Sequence, residues 1–157
     1  MKVISNSKRL KIIELFAKQA HKAQVDKAGE PYIGHLLRVA SNCSSTSAKI
    51  VALLHDIVED GQSTHDELRE LGILRSEELH AIKLLDKTVI YDLEEIVSQE
   101  NYYRRIKGNK LAREVKLADL RDNMNLSRFI RNGIELTQKH HQRIKVYEVR
   151  LNFLLDD

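Results

Sequence analysis

The fold is decided by the stretch Leu53-Leu54-His55-Asp56-Ile57-Val58-Glu59-Asp60, in which an apolar run abruptly presents a histidine and three acids. Burying an unpaired carboxylate is so unfavourable that such a cluster needs a cation, a partner charge or water. The flanking leucines argue against simple exposure. A helix that continued through Asp60 would align His55 with Glu59 and Asp56 with Asp60, since positions four apart share a face. The stretch therefore predicts a metal site beside catalytic acids.

Composition favours a single helical domain. The 157 residues are 42% hydrophobic and 31% charged, with one Pro, six Gly and no Trp. That size supports one substantial core, so we predict one domain over 1–157. The net charge of +3 is mild and the basic residues are interspersed with acids, which predicts no nucleic-acid partner. A phosphorylated small molecule fits this charge better.

Cysteine usage and hydropathy predict where the protein resides. Cys43 is the single cysteine, which excludes an intrachain disulfide and a thiolate zinc site and is consistent with a reducing compartment. The first residues lack the apolar core of a signal peptide, and no segment has the apolar length of a membrane span. We therefore expect a cytoplasmic protein without a membrane partner, and leave homo-oligomerisation open.

Apolar residues recur at intervals of three and four along most of the chain, which is typical of amphipathic helices. Residues 49–54 alone could form a buried strand, but the length of the whole apolar run favours a helix over 48–58. Thr64 and Glu67 have the spacing of a capping box. The pattern predicts helices over 7–24, 31–42, 48–58, 64–72, 76–85, 110–126 and 135–155, and a further one that ends at 108.

Ligand candidates come from three of these helices. His35, His55, Asp56 and Asp119 together offer two nitrogens and two oxygens, a set that suits Mn²⁺, Fe²⁺ or Zn²⁺ without selecting among them. Such an ion can activate water and neutralise charge that develops on a phosphoryl group. Glu59 and Asp60 are candidates to orient or deprotonate the attacking water.

Four motifs in order resemble the HD-domain (p)ppGpp hydrolases, the hydrolase half of the RelA/SpoT enzymes and the free-standing small alarmone hydrolases. The resemblance extends over roughly Leu10 to Leu155, and its motifs are Ala20-His21, Gly29-Glu30-Pro31-Tyr32-Ile33-Gly34-His35, Ala52 to Asp60, and Lys116-Leu117-Ala118-Asp119 through Asn123-Met124. The resemblance implies an all-α HD-domain helical bundle. It also implies removal of the 3′-pyrophosphate of guanosine tetra- or pentaphosphate, which leaves GDP or GTP.

The same resemblance implies roles for individual residues. Mn²⁺ would be held by the four ligand candidates, and the two acids at 59 and 60 would act on the water. Asn123 would contact the nucleotide near the metal, and Tyr147 falls where the family has a nucleotide-contacting tyrosine. Lys27 is the nearby cation for a phosphate. At position 26, where the family usually has a basic residue near the guanine, this chain has Asp26, and an acid there would repel a nucleotide.

Asp26 motivates an alternative, an HD phosphohydrolase that acts on another nucleotide or phosphorylated metabolite. A non-catalytic nucleotide-binding regulator is a further alternative of a different class. Several histidines have simpler interpretations than catalysis. His21 is expected to be a partly buried histidine bonded to the backbone, with a substrate contact as the alternative. Four others lack acids at ligand spacing and are expected to be solvated: His65, His80, His140 and His141.

Overall fold

The computed structural model describes residues 4–90 and 95–156, so 1–3, 91–94 and 157 of the predicted domain lie outside it. The described chain is all-helical, as predicted, and none of its helices has the length and apolar character needed to cross a bilayer. Residues Lys87–Ile90 form a 3₁₀ turn, and Val25 and Pro31 form an isolated bridge. The α-helices are α1 (Asn6–Ala20), α2 (Ile33–Ser41), α3 (Thr46–Leu54), α4 (His65–Glu70), α5 (Ser76–Leu85), α6 (Glu95–Lys107), α7 (Lys110–Met124), α8 (Ser127–Arg131) and α9 (Gln138–Leu155).

Helix α3 forms the centre of the bundle. Ala48 and all residues from Ile50 to Leu54 are at most 1% exposed. A helix that is apolar on every face must be surrounded by other elements, and α3 packs against α1, α2, α5 and α7. This confirms the helix over the alternative of a buried strand. It also means that any polar side chain at the end of α3 begins inside the core.

Helix α3 ends before His55, earlier than the predicted end at Val58. Ile57 remains fully buried, and its carbonyl accepts a hydrogen bond from the amide of Gln62 at 2.9 Å. Gly61 then adopts a φ of 71°, a conformation that glycine reaches without a Cβ penalty. A series of turns therefore carries His55 to Asp60 in place of the predicted continuous helix, although the amide of Asp60 still donates to the carbonyl of Asp56 at 2.8 Å.

Side chains cap the first turns of α3 and α4, and the capping box predicted at Thr64 is confirmed. Ser45 Oγ accepts from the amide of Ala48 at 3.1 Å at the start of α3. At the start of α4, Thr64 accepts from the Glu67 amide at 3.2 Å, and the Glu67 carboxylate accepts from the Thr64 amide at 2.9 Å. These reciprocal bonds satisfy amides that have no partner within a helix.

Two boundaries near the C-terminus differ from prediction. Helix α7 ends at Met124, and the short helix α8 was not predicted. Helix α9 begins at Gln138 rather than at 135, because Thr137 and His140 form a capping box there. Short helices lack the periodic signal of longer ones. The omission matters because α8 carries Arg128, which reaches the functional site.

Candidate metal centre and substrate pocket

Three of the four predicted ligands, His35, Asp56 and Asp119, line a pocket of about 500 Å³, and His55 lies directly behind them against the two carboxylates. We call this group, His35, His55, Asp56 and Asp119, the inner end. Asp119 Oδ1 lies 3.2 Å from His35 Nε2 and 3.6 Å from His55 Nε2. Asp56 Oδ2 lies 3.0 Å from His55 Nε2 and 3.9 Å from His35 Nε2. The imidazoles and Asp119 alone have the spacing of a metal-binding triad.

Both imidazoles are turned so that Nε2 faces the centre of the cluster. His55 Nδ1 lies 2.7 Å from the carbonyl of Ala52, and His35 Nδ1 lies 2.7 Å from Asp122 Oδ2. A carbonyl and a carboxylate only accept, so each Nδ1 donates, and Nε2 is the nitrogen that an ion can bind once it displaces a proton. His55 Nε2 is buried and has no hydrogen-bond partner. A buried Nε2 that is aimed at two carboxylates but makes no well-directed hydrogen bond is a position that a bound cation would fill.

The electrostatics of the inner end favour added positive charge. Burial by itself lowers the pKa of His55, but the charge of Asp56 and contacts with Asp119 outweigh it and raise that pKa well above its usual value. The pKa of His35 is likewise raised, because hydrogen bonds to Asp119 and Asp122 outweigh its burial. Histidines that hold protons this firmly report a strongly negative local potential. A divalent cation would satisfy the same potential.

The Asp119 carboxylate is fixed by two neighbours on α7. Lys116 Nζ donates to Oδ2 at 2.8 Å, and Asn123 Nδ2 donates to Oδ1 at 2.8 Å. Burial opposes ionisation, but Lys116 and the two histidines hold the pKa of Asp119 well below its ordinary value. Lys116 is itself buried. The carboxylate is therefore ionised, with Oδ1 presented to the imidazoles.

Asp56 is fixed by an aromatic hydroxyl from the loop before α2. Tyr32 donates its hydroxyl proton to Asp56 Oδ2. The Tyr32 ring also contacts His21 and His35, with ring centroids 5.2 Å and 5.4 Å apart. Burial and the charge of Asp56 raise the pKa of Tyr32 far above its ordinary value, so this phenol remains a donor. Asp56 is thereby held in place although it lies outside a helix.

No protein-family model matches the chain. The bifunctional (p)ppGpp synthase/hydrolase SpoT of Escherichia coli K12 is 35% identical over 127 residues, which is 74% of this chain and 18% of that protein. The chain is related to the RelA/SpoT hydrolase family.

Other members of this family agree with the first match. A guanosine-3′,5′-bis(diphosphate) 3′-pyrophosphohydrolase of Haemophilus influenzae is 33% identical over 120 residues, or 70% of this chain and 17% of that protein. One of the same name from Aquifex aeolicus is 44% identical over 59 residues, or 35% of this chain and 8% of that protein. The chain spans less than a fifth of the length of these relatives.

The two candidate catalytic acids line the same pocket but have different partners. Glu59 is half-buried, and its Oε1 lies 3.3 Å from Lys87 Nζ, which follows α5. Asp60 is exposed, and its Oδ2 accepts from Gln24 Nε2 at 2.9 Å. The charge of Glu59 is thus partly compensated by a lysine. Among the described residues, Asp60 contacts a neutral amide and no cation, which makes it the better placed of the two acids to act on a water.

Asp26 has a structural role. Its Oδ1 accepts from the amides of Ala28 (2.8 Å) and Glu30 (3.0 Å), which closes the loop, and its Oδ2 accepts from Arg128 Nε at 3.0 Å. The Asp26 and Arg128 side chains are each only 8% exposed. Although Asp26 lines the pocket, its carboxylate is thus paired with Arg128 and with two backbone amides of the loop. The structure therefore gives no support to the expectation that Asp26 repels a nucleotide.

The pocket opens between cationic side chains that we call the outer rim: Lys27, Lys87 and Arg143. Partial burial and the positive charges of Arg143 and Lys87 lower the pKa of Lys27. Like charges held this close are stabilised by an anion between them. Asn123 and Tyr147, the other predicted substrate contacts, also line the pocket. The site thus joins a cation-attracting inner end to an anion-attracting rim.

The sequence reasoning missed several partners of these residues. The contacts described above were not predicted for four residues: Tyr32, Gln24, Lys116 and Asp122. The i, i+3 spacing of Lys116 to Asp119 was an available local signal. The contact of Asp122 with His35 joins α7 to α2 and has no such signal.

Two of the histidines expected to be solvated are not. His65 Nε2 lies 2.8 Å from Asp86 Oδ2, a carboxylate that is 1% exposed. His140 is half-buried, and its ring stacks edge-on against Phe129 with centroids 4.9 Å apart. The predictions for both were wrong, since the partners are distant in sequence. His80 is exposed, as predicted.

Proposed function

We propose that this chain is a divalent-metal-dependent phosphohydrolase that removes the 3′-pyrophosphate of (p)ppGpp and leaves GDP or GTP. The observation that carries the proposal is the pairing of His35 Nε2 and His55 Nε2 with two carboxylates at the buried end of a pocket whose mouth is cationic. The names of the related proteins supply the substrate. A cytoplasmic location remains the sequence-based prediction.

The four inner-end residues would hold the ion, and Mn²⁺ suits their mixed nitrogen and oxygen set. When bound, the ion would offset the negative charge that develops on the phosphoryl group. His35 and His55 would present Nε2, because each Nδ1 is already committed to an acceptor. Asp119 would present Oδ1 and leave Oδ2 to Lys116.

Asp60 would act as the general base. Water attacks the phosphorus atom bonded to the 3′-oxygen, a new O–P bond forms, and Asp60 takes the proton from the water. The bond between phosphorus and the 3′-oxygen breaks, the 3′-oxygen keeps the electron pair and takes a proton from solvent to become the 3′-hydroxyl of GDP or GTP, and pyrophosphate departs. Glu59 would position Lys87 toward the substrate phosphates. Lys27 and Arg143 would hold the second anionic group at the outer rim, with Asn123 and Tyr147 along the pocket wall.

The proposal is tested by incubating the purified protein with Mn²⁺ and each of ppGpp, pppGpp, GTP and ATP. We expect release of pyrophosphate from the first two, with GDP and GTP as the remaining products. Chelation should abolish release, and added Mn²⁺ should restore it. Cleavage of the other nucleotides with ppGpp left intact would instead support the alternative of an HD phosphohydrolase with another substrate.

The non-catalytic regulator remains the alternative from a different class. It predicts nucleotide binding without turnover, and binding that is unchanged when metal is removed. The ordered ligand atoms of the inner end do not favour it, because a regulator has no need of a buried, unpartnered imidazole nitrogen. Metal analysis of the purified protein beside the turnover assay decides between them.

A further inference from the structure

We infer that His21 is a positioning residue, which orients the side-chain amide of Gln24 so that this amide holds the Asp60 carboxylate in the pocket. The inference rests on the proposed role of Asp60 as a base. His21 lies directly after α1 and is 1% exposed. The sequence alone suggested a buried histidine bonded to the backbone, whereas its Nδ1 contacts a side chain.

The contacts form a chain from the core to the pocket. His21 Nδ1 lies 2.7 Å from Gln24 Oε1, and Gln24 Nε2 lies 2.9 Å from Asp60 Oδ2. The backbone of Gln24 is fixed as well. Its backbone N–H donates to the carbonyl of His21 at 3.0 Å, and its backbone carbonyl accepts from the backbone N–H of Tyr32 at 2.9 Å. Only the side-chain torsions of Gln24 are left for His21 to fix.

The hydrogen bonds that link His21, Gln24 and Asp60 can run in only one direction. An ionised Asp60 can only accept, so the NH₂ group of Gln24 must face it. The carbonyl oxygen of Gln24 must then face His21, and this oxygen requires a donor. His21 Nδ1 therefore carries a proton. Without that donor, the Gln24 amide could rotate and present its oxygen to Asp60, which would repel the carboxylate.

The surroundings of His21 Nε2 also support a role for this histidine in holding Gln24. Its Nε2 is buried and has no hydrogen-bond partner, and its ring contacts Tyr32, the donor to Asp56. A leucine would fill this apolar side as well as a histidine does. A polar ring at this position therefore needs a reason, and the bond from Nδ1 to Gln24 provides one.

The test compares His21→Leu, which removes the donor, with His21→Asn, whose side-chain amide can place a donor near the position of Nδ1. His80→Leu is the matched control, because His80 is exposed on α5. We expect His21→Leu to lower kcat about 10-fold to 100-fold with KM nearly unchanged, as misplacement of a reacting group does. His21→Asn should recover most of that loss, and the control should behave as wild type.

Nuclear magnetic resonance tests the positioning without turnover. The side-chain amide signals of Gln24, assigned with a Gln24→Glu variant, should be dispersed and slow to exchange in the wild type and in His21→Asn. They should collapse toward free-glutamine positions in His21→Leu. This readout separates the two ideas. If no nucleotide is cleaved by the wild type but the signals respond as expected, the proposed function fails and the positioning contact stands.

Three results would overturn the inference. The first is an unchanged kcat in His21→Leu. The second is a His21→Asn variant that is no better than His21→Leu, because packing alone would then explain the loss. The third is Gln24 amide signals that do not respond to His21 in a protein that melts at the wild-type temperature. A lower melting temperature shared by both variants with equal loss of kcat also points to packing alone.

Discussion

The inner end and the outer rim of the pocket are built in opposite ways. At the inner end, His55 and Asp119 have side chains only 2% and 5% exposed, and nearly every polar atom has an assigned partner. At the rim, the Lys87 side chain is 50% exposed and bonds to the partly exposed Glu59. Fixed geometry suits the chemical step, whereas mobile charges suit the capture of an anion. Substitutions at the two ends should therefore change different kinetic constants.

The largest effect is expected from His55→Gln, compared with His80→Gln on the exposed face of α5. Substituting a residue that only orients a metal ligand lowers metal affinity or activity by about 10-fold to 100-fold. Loss of a ligand itself should therefore lower kcat by more than about 100-fold. Bound Mn²⁺ by elemental analysis and kcat should fall together, with the control unchanged. Full metal content in His55→Gln would remove this residue from the ligand set.

Asp26→Arg should destabilise the protein rather than improve nucleotide binding. The substitution removes the loop-closing acceptor and places a second cation against the largely buried Arg128. Breaking a buried ion pair costs about 3 kcal/mol. Asp26→Asn, which keeps the acceptor oxygen, should be milder. Denaturant unfolding measures both, and a fully stable Asp26→Arg with faster ppGpp cleavage would show that position 26 faces the substrate.

Asp122→Asn should weaken the metal site without removing a ligand. Hydrogen bonds from His35 and Arg38 hold the pKa of Asp122 at about 2 despite its burial, so it is a full negative charge that orients His35. Neutralising it should lower Mn²⁺ affinity by about 10-fold to 100-fold. Titration calorimetry measures the change. An unchanged affinity would mean that Asp122 serves only its contacts with Arg38 and Arg128.

Metal affinity should increase with pH. The pKa values of His35 and His55 are raised in the metal-free protein, so both hold protons above about pH 6.5 that an ion must displace. Affinity should rise about tenfold per pH unit for each proton displaced, until the pH exceeds the raised values. Calorimetry in buffers of different ionisation enthalpy counts the protons released at neutral pH. A count of zero would contradict the raised pKa values.

The same shifts predict how the metal-free protein responds to pH. A histidine whose pKa is raised on folding contributes stability that is complete below about pH 6.5 and is lost as the pH rises through the raised value. The metal-free protein should therefore become less stable between neutral and mildly alkaline pH. Added Mn²⁺ should reverse that loss. Melting temperatures with and without metal across this range measure both effects.

The smallest effect is expected at the rim. Lys27→Ala removes one charge-assisted contact worth about 1.5 kcal/mol, which raises KM about tenfold and leaves kcat nearly unchanged. Lys11→Ala, an exposed lysine on α1, is the matched control. Loss of kcat with constant KM in Lys27→Ala would mean that this lysine acts in the chemical step. In that case the inner end and the outer rim would not have separate roles in catalysis and in substrate binding.

Local sequence patterns predicted the helices well, for identifiable reasons, and the ligand candidates stay a prediction. The capping box at Thr64 and the apolar run of α3 depend on neighbours within a few residues, which a pattern can detect. The end of α3 was placed too far along the chain, because Ile57 must stay in the core and Gly61 ends the turn. The burial of Ile57 is a requirement of the tertiary structure, which a local pattern does not contain. Helix α8 was missed because its short length leaves no periodic signal.

The amino-acid sequence by itself determined an all-helical protein with His35, His55, Asp56 and Asp119 as ligand candidates, since residue type and local spacing carry that information. Only the tertiary structure decided which nitrogen of each imidazole faces the cluster, that Arg128 neutralises Asp26, and that His21 reaches Asp60 through Gln24. The reason is physical. Ionic and hydrogen-bonding partners are selected by distance in space and by the direction of each donor, and neither quantity is encoded in the spacing of residues along a chain.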